Sequence, residues 1–580
     1  MLYELVTGFR AFDRETAPET LTAILNDEPP RTAADSPATA RALKVARRCL
    51  EKSATARFQS CRDLALVLSD ELADRAPAVR PRVLPSPVVI AAALVLLACV
   101  AIVLRVVIRS RAPSESTRIG SLAVLPLESL SAGADSGYLA DGMTAALITN
   151  LAKIRALRVV SRTSVMRYKG VRKALPQIGR ELNVDAIVAG TIEQIGERVR
   201  IDVELIRAST DEHLWADTYD RDIRDVLRLQ DQVAQSVARA VRVTLTPEEH
   251  ARLAKGREVD PEAYRLYVKG RFFWDRRTEE SINRAIAFFK EAIERDPTYA
   301  AAYSGLADCY LSLGFSFDVG SLPPSDAIPK AKAAVVKALA LDDMLAEAHN
   351  SLAYAKLNFD WDWPGAEAEF KRSLELNPGY TEAHHWYSHF LASSGRLDES
   401  LAESNRALEL DLLSPIINVH LGWTYIFARQ YDQALTQLAK TIELDSNYGL
   451  AYWFRGRAYE QQHKYSEALE EMRTGARLLK TNVVVAADIG HVHAVSGDRG
   501  DATMIIRELQ EQSTRRFVSP FELAIIYIGL GETDRAFEWL EKAYQARSDL
   551  LVYLNVDPRL DPIRTDRRFS ALVDRVGVPK

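Results

Sequence analysis

The sequence predicts a multidomain, mainly α-helical chain. A solenoid of paired helices follows a small α/β domain, and one transmembrane helix and a few short helices precede both. Three observations carry this. Small residues recur at a 34-residue step through the second half, and alternating strands flank a Gly-Glu-Arg turn in the middle. Seventeen apolar residues also stand in a row at 88–104. The 580 residues are 47% hydrophobic and 26% charged, ordinary for folded domains. A formal charge of −5 gives no whole-chain attraction to nucleic acid, and no nucleic-acid partner is expected. Cys49, Cys61, Cys99 and Cys309 have neither CxxC nor zinc-ligand spacing, so no disulfide framework is implied.

In residues 1–73, "TLTAIL" and "LKVARRCL" read as short amphipathic helices and "DEPP" as a helix stop. Leu64, Val67, Leu68 and Leu72 form a helical stripe. The stretches "LYELVTGFRAF", "ETAPETLTAILNDEPP" and "ARRCLEKSATARFQSCRDLALVL" resemble the C-terminal lobe of bacterial Ser/Thr protein kinases. That family's chemistry needs a Gly-rich loop, a strand lysine, an HRD loop with its Asn and a DFG aspartate. None occurs here; "DRD" at 220–222 and "DVG" at 318–320 are chance matches, and there is no P-loop. The resemblance implies that Arg57 pairs with an APE glutamate, which would precede Met1. The expectation is a truncated kinase-lobe remnant, with no catalytic residues and no enzyme activity. The alternative is the sensory, C-terminal half of a transmembrane Ser/Thr kinase whose start lies upstream.

A linker at 74–87 leads to the apolar run, which with "RVVI" covers 88–108, or roughly 31 Å of helix, enough for a hydrocarbon core of about 30 Å. A single transmembrane helix contacting the lipid bilayer is expected. Arginines flank it on both sides, Arg75, Arg80 and Arg82 before and Arg105, Arg109, Arg111 and Arg118 after, so charge does not orient it. The kinase resemblance implies a cytoplasmic N-terminal piece. Residues 121–580 then lie outside a bacterial inner membrane.

Residues 121–246 read as an α/β domain. "SLAVLPLESL" is a strand, and "GYLADGMTAALITNLAKI" is a helix with Leu139, Met143, Leu147 and Leu151 on one face. "LRVVSR" is a strand and "LPQIGRELNV" a short helix with Pro176 near its start. In the strand after the turn, Val199, Ile201, Val203 and Leu205 alternate with polar residues. "EHLWADTYDRD" adds a strand and "VLRLQDQVAQSVARAVRVTL" a closing helix. "AVLPL", "YLADGMTAALITNLA", "IGRELNVDAIVAGTI" and "HLWADTYDR" resemble TolB- and FlgO-like domains of bacterial exported proteins. The resemblance implies an assembly or sensing module. Asp141, Arg162, Glu193, His213 and Asp217 are read as helix caps, strand-end pairs and turn formers rather than a site.

The period governs 261–550. Ala366, Ser400, Ala434, Ala468, Ala502 and Ala536 stand 34 apart, as do Ser388, Gly422, Gly456, Gly490 and Ala524. Tyr425, Tyr459 and Tyr527 share a phase. Two antiparallel helices approach closely only where side chains are small, and the aromatic residues fill the space beside them. "NVHLGWTYIFARQYDQALTQLAKTIELDSNY" resembles the tetratricopeptide repeat (TPR), and about eight units are expected, with residues 551–580 as a cap. A groove in such a stack takes a protein or peptide partner. His385 with His389, and His491 with His493, raise a metal reading. Without HExxH or Cys partners they are taken as structural, and no metal or cofactor is expected. Asp360 and Asp362 in "DWDW" read as caps at a turn. The function expected is a membrane-anchored scaffold or sensor. A transcription regulator is a weaker reading, because no helix-turn-helix or basic patch supports it.

Overall fold

A computed structural model describes parts of 2–67 and residues 119–579, apart from 132–135, 254–257, 317–318 and 481–482. The chain divides into two units, Met1–Ser114 and Glu115–Lys580. In the first, helices Leu2–Thr7, Ala17–Asn26 and Pro37–Cys49 are described. Tyr3 is buried against Leu43 and Ala46, and its hydroxyl donates to the Pro30 carbonyl at 2.6 Å. Arg57 and the run 88–108 lie outside the described residues.

Among the described residues no helix is long and apolar enough to cross a membrane. This corrects the expected transmembrane helix as an element of the fold, and with it the single-pass inner-membrane placement and the bilayer contact. The physical reason lies in the long helices themselves. The longest described, Pro324–Leu341 with 18 residues, carries Asp326, Lys330, Lys332 and Lys337, and charges at that density are expelled from hydrocarbon. Their apolar faces are spent on packing against other helices.

The second unit begins with a sheet of strands β1 (Ser121–Val124), β2 (Glu128–Ser129), β3 (Arg158–Val159), β4 (Ala186–Ile195), β5 (Arg198–Arg207) and β6 (Glu212–Asp222). The order is β3-β1-β4-β5-β6, with β2 beside β4. β1 runs parallel to β3 and β4, while β4, β5 and β6 form an antiparallel meander. Val199, Ile201, Val203 and Leu205 are fully buried, the inner face of an alternating strand. Helices Ser136–Ala152 and Val226–Ala240 pack on the sheet and on each other. Leu139, Met143, Leu147 and Leu151 lie in that core. Gly190 is obligatory in β4: a Cβ there would stand 2.1 Å from the Asp202 carbonyl oxygen across the ladder.

Eight helix pairs follow among the described residues, from Pro261–Trp274 with Glu279–Arg295 to Pro520–Gly529 with Thr533–Gln545. Six second helices begin at 363, 397, 431, 465, 499 and 533, each 34 residues after the last. First helices of neighbouring pairs pack against one another, and each second helix wedges against the first helix that follows it. With no comparable contact between successive second helices, the stack curves and the first helices form its inner row. Ser373, Ala407 and Thr441, in matching positions, are buried.

Candidate functional site

The residues singled out by the period sit where neighbouring helices approach. A Cβ on Gly422 would meet Leu438 Cγ at 2.7 Å, and one on Gly490 would meet Ile526 Cδ1 at 2.8 Å. A Cβ on Gly456 would stand 2.6 Å from Met472 Cγ and 2.9 Å from the Ala468 carbonyl. Ala434, Ala468, Ala502 and Ala536 are fully buried, and Tyr527 is in the same core; Tyr425 and Tyr459 pack against its edge. These side chains are taken up in the contacts between helices. Chemistry lies instead along the inner row.

The chain's own last thirty residues occupy much of that row. After the eighth pair come two 3₁₀ turns, Asp549–Tyr553 and Pro558–Ile563, and the helix Arg567–Val576. The helix covers the last pair, where Arg575 pairs with Glu541 at 2.7 Å and Arg568 with Asp534 at 2.8 Å. The segment also reaches far back. Tyr553 stacks on Phe427 and meets Trp423 edge-on, with ring centroids 5.2 and 5.1 Å apart. Trp363 Nε1 donates to the Val576 carbonyl at 3.1 Å, and the Ser316 backbone N–H and hydroxyl donate to Asp549 at 3.0 and 2.7 Å.

At the centre of this contact four charges are buried together. Asp557 of the segment accepts from Arg559 at 2.6 Å and faces Arg457 at 3.3 Å. Arg559 also pairs with Asp488, which accepts from Trp453 Nε1 at 2.7 Å. Burial works to raise the Asp557 carboxyl, yet the Arg559 and Arg457 guanidiniums hold it far below the usual range. Next to them Glu522 is buried with neither carboxyl oxygen hydrogen-bonded, and burial, reinforced by Asp488, pushes it well up. Two cations facing two anions leave no room for a third charge.

Where the row meets Tyr553, three imidazoles gather. His385 and His389 lie one turn apart on Thr381–Ser393, and His420 comes from the next first helix, Pro415–Phe427. Ring centroids are 4.3–4.8 Å apart, and His420 Nδ1 lies 2.6 Å from His389 Nε2. Burial, with the His385 ring adding to it, pushes both His389 and His420 well below the usual histidine value. His491 and His493 diverge instead: His491 contacts Glu460 at 2.5 Å, and His493 contacts Asp498 at 3.1 Å. Towards the first pairs the row turns polar. Arg271 donates to Asp308 at 2.9 Å, and Asp308 accepts from Ser351 at 2.5 Å. Asn350, 1% exposed, has both amide atoms unpartnered.

The α/β domain docks on the same repeats. The Ser164 backbone N–H and hydroxyl donate to Asp411 at 3.0 and 2.6 Å, and Ser161 N–H donates to the Leu410 carbonyl at 2.7 Å. Gly379 N–H donates to the Ala152 carbonyl at 3.0 Å, and Arg162 pairs with Asp275. Burial pushes Asp411 up to about 6 against those donors. The other polar residues marked in this domain are local. Asp141 pairs with Lys169 at 2.6 Å, His213 lies 2.9 Å from Glu204, and Asp217 accepts from Thr218 N–H at 2.9 Å; Glu193 faces Arg200 across the ladder. Of the two turn aspartates, Asp362 caps the Gly365 N–H at 3.0 Å and Asp360 accepts from Lys332 at 2.6 Å. Asp411, His420, Asp488, Asp557 and Arg559 escape sequence reasoning, since each has a partner tens to hundreds of residues away that brings it into the site.

The stack is a solenoid of tetratricopeptide repeats. Residues 277–314, 420–479 and 521–550 match models of the tetratricopeptide repeat. Residues 117–236 match the second domain of HilA/YgeH-like transcriptional regulators, over the stretch where the sequence led us to expect a TolB- or FlgO-like domain, which no match supports. The chain is 34% identical over 235 residues to putative adenylate cyclase 3 of Rhizobium meliloti (strain 1021), covering 40% of each. It is 25% identical over 170 residues to transcriptional regulator HilA of Salmonella typhimurium, covering 29% of this chain and 30% of HilA. The matches thus span well under half the length of these curated relatives. Among solved structures, PilF of Pseudomonas aeruginosa is 21% identical with a TM-score of 0.29, covering 38% of this chain and 93% of PilF. The TPR protein YrrB is 21% identical with a TM-score of 0.24, covering 33% and 91%.

Proposed function

We propose that residues 115–580 form a non-catalytic binding module whose inner row receives an extended segment of a protein partner. One observation carries the reading. The chain's own segment Asp549–Ile563 lies along first helices as a bound peptide would, held by stacked aromatics and a buried charge quartet. The remaining stretch, from the first pair to the fourth, holds the half-buried Tyr267, Arg271, Glu347 and Tyr380, among them the aromatic and arginine types found at binding hot spots. Two relatives named for different outputs, a cyclase and a transcriptional regulator, each share part of their length with this chain. A shared binding module joined to varied output domains accounts for that. Panning a displayed peptide library on the full chain, then retesting the selected peptides on Arg271→Glu and Tyr380→Ala variants, tests the proposal. Selected peptides are expected to lose binding to both; equal binding to the variants refutes it.

The kinase-lobe resemblance supplies a second reading, in which the module senses for a phosphotransferase. The small core of Tyr3, Leu43 and Ala46, which ties the first short helix to the third, favours it. Genomic DNA upstream of Met1 without an in-frame HRD loop and DFG aspartate would remove it.

A further inference from the structure

We propose that His385, His389 and His420 form a binding site for a divalent transition-metal ion of the zinc class, joining the fourth and fifth helix pairs. Three features support it. First, the nitrogens converge: one donor from each ring lies within 4.8 Å of the others, and all three residues are buried. A zinc ion bound by imidazoles at about 2.0–2.1 Å holds tetrahedral donors about 3.3 Å apart. The His389–His420 contact of 2.6 Å therefore opens by about 0.7 Å, and His385 closes in, within the reach of side-chain rotation. Imidazole is a donor that suits zinc, copper, iron and nickel.

Second, His385 Nε2 is buried with no hydrogen-bond partner, in a residue only 6% exposed. An orphaned imidazole nitrogen forfeits hydration, and a metal ion would restore a partner to it. Third, oxygen atoms stand behind the rings. Glu382 Oε2 is 3.4 Å from His385 Nδ1, and Tyr553 Oη is 3.4 Å from His389 Nδ1. A metal-bound histidine commonly has its other nitrogen oriented by such an oxygen. Glu382 would fix His385 with the proton on Nδ1 and the lone pair on Nε2. Three protein donors leave a fourth position for water or a donor from a partner.

The test uses the full chain, stripped of metal, titrated with Zn²⁺ against a chromophoric chelator and loaded in parallel with Co²⁺ for absorption spectroscopy. One zinc per chain and a tetrahedral Co²⁺ spectrum are expected. His389→Gln and His420→Asn are expected to abolish both signals. Glu382→Gln, at a partly exposed position, should weaken binding roughly 10–100-fold. His491→Asn, whose ring contacts Glu460 away from the trio, should bind as the wild type does. Because the buried variants could lose their fold, X-ray absorption of the zinc-loaded wild type supplies an independent count, with three imidazoles expected. No stoichiometric uptake at micromolar zinc, undiminished uptake in His389→Gln, or fewer than three imidazoles would each overturn the proposal and leave the trio as packing.

Discussion

Replacing Asp557 by Asn keeps the side chain's size and its ability to accept from the Arg559 backbone N–H, but removes one charge from the buried quartet. Arg457, Arg559, Asp488 and Asp557 have side chains no more than 4% exposed, so water screens almost nothing. Two guanidiniums then face Asp488 alone. Leaving a buried charge uncompensated costs about 3–5 kcal/mol. The turns Asp549–Ile563 are held to the inner row by this cluster, so the cost falls on their docking. At about 1.4 kcal/mol per factor of ten, the open state becomes roughly 100- to 4,000-fold more populated. Native-state hydrogen exchange of amides in 549–563 reads this directly. Exchange there should accelerate by at least a hundredfold, while the first pair, Pro261–Trp274 with Glu279–Arg295, stays unchanged. Arg457→Met combined with Asp557→Leu leaves the Arg559–Asp488 pair balanced and should restore most of the protection. Acceleration below about tenfold, or an equal change in the first pair, would refute the view that the quartet clamps the segment.

Three further outcomes follow from the same geometry. Asp411, at about 6 when folded against an ordinary value of about 3.9, binds more protons in the native state between pH 4 and 6; its contribution is full below pH 4 and lost as pH rises through 6. Asp411→Asn, which still accepts from Ser164 but does not titrate, should therefore gain about 3 kcal/mol on the wild type between pH 4 and 7.5, read by urea unfolding at each pH, and a pH-independent difference would contradict it. Gly456→Leu drives a side chain into Met472 and the Ala468 carbonyl and should destabilise by about 1–3 kcal/mol or more, seen as a lower urea midpoint. Asp362→Ala removes the cap on Gly365 N–H and should cost about 1 kcal/mol by the same assay.

Much of the fold can be read from the chain because its causes are local or periodic. The 34-residue step is visible because each pair solves the same packing problem: Gly456 faces Met472 sixteen residues on, and Ala434 and Ala468 recur at the same place in their helices. The strand after Gly196 is legible because a two-residue turn joins it to its partner, β4, and its inner face alternates without interruption. The apolar run at 88–108 shows the limit of such reasoning. Length and hydropathy describe a segment in isolation, whereas the long helices described here draw their faces from neighbours.

The candidate site fails to show in the sequence for a related reason. A repeat makes neighbours of residues about one period apart, so chemistry on the inner row is assembled across units. His385 and His389 are visible as a pair on one helix, but His420, 31 residues after His389, joins them only when the next first helix is stacked alongside. The quartet is more remote still: Arg457 and Asp557 are a hundred residues apart and meet because the last segment doubles back. Charges of that kind look in sequence like ordinary surface residues, since nothing nearby betrays their burial. The asymmetry has a mechanical consequence. The periodic contacts hold each pair to its neighbour, whereas Asp549, Tyr553, Asp557 and Arg559 tie the second, fourth, fifth, sixth and seventh pairs to one strand of chain. A partner that displaces the segment would therefore loosen the curvature of the whole stack, and a metal at the histidines would oppose it.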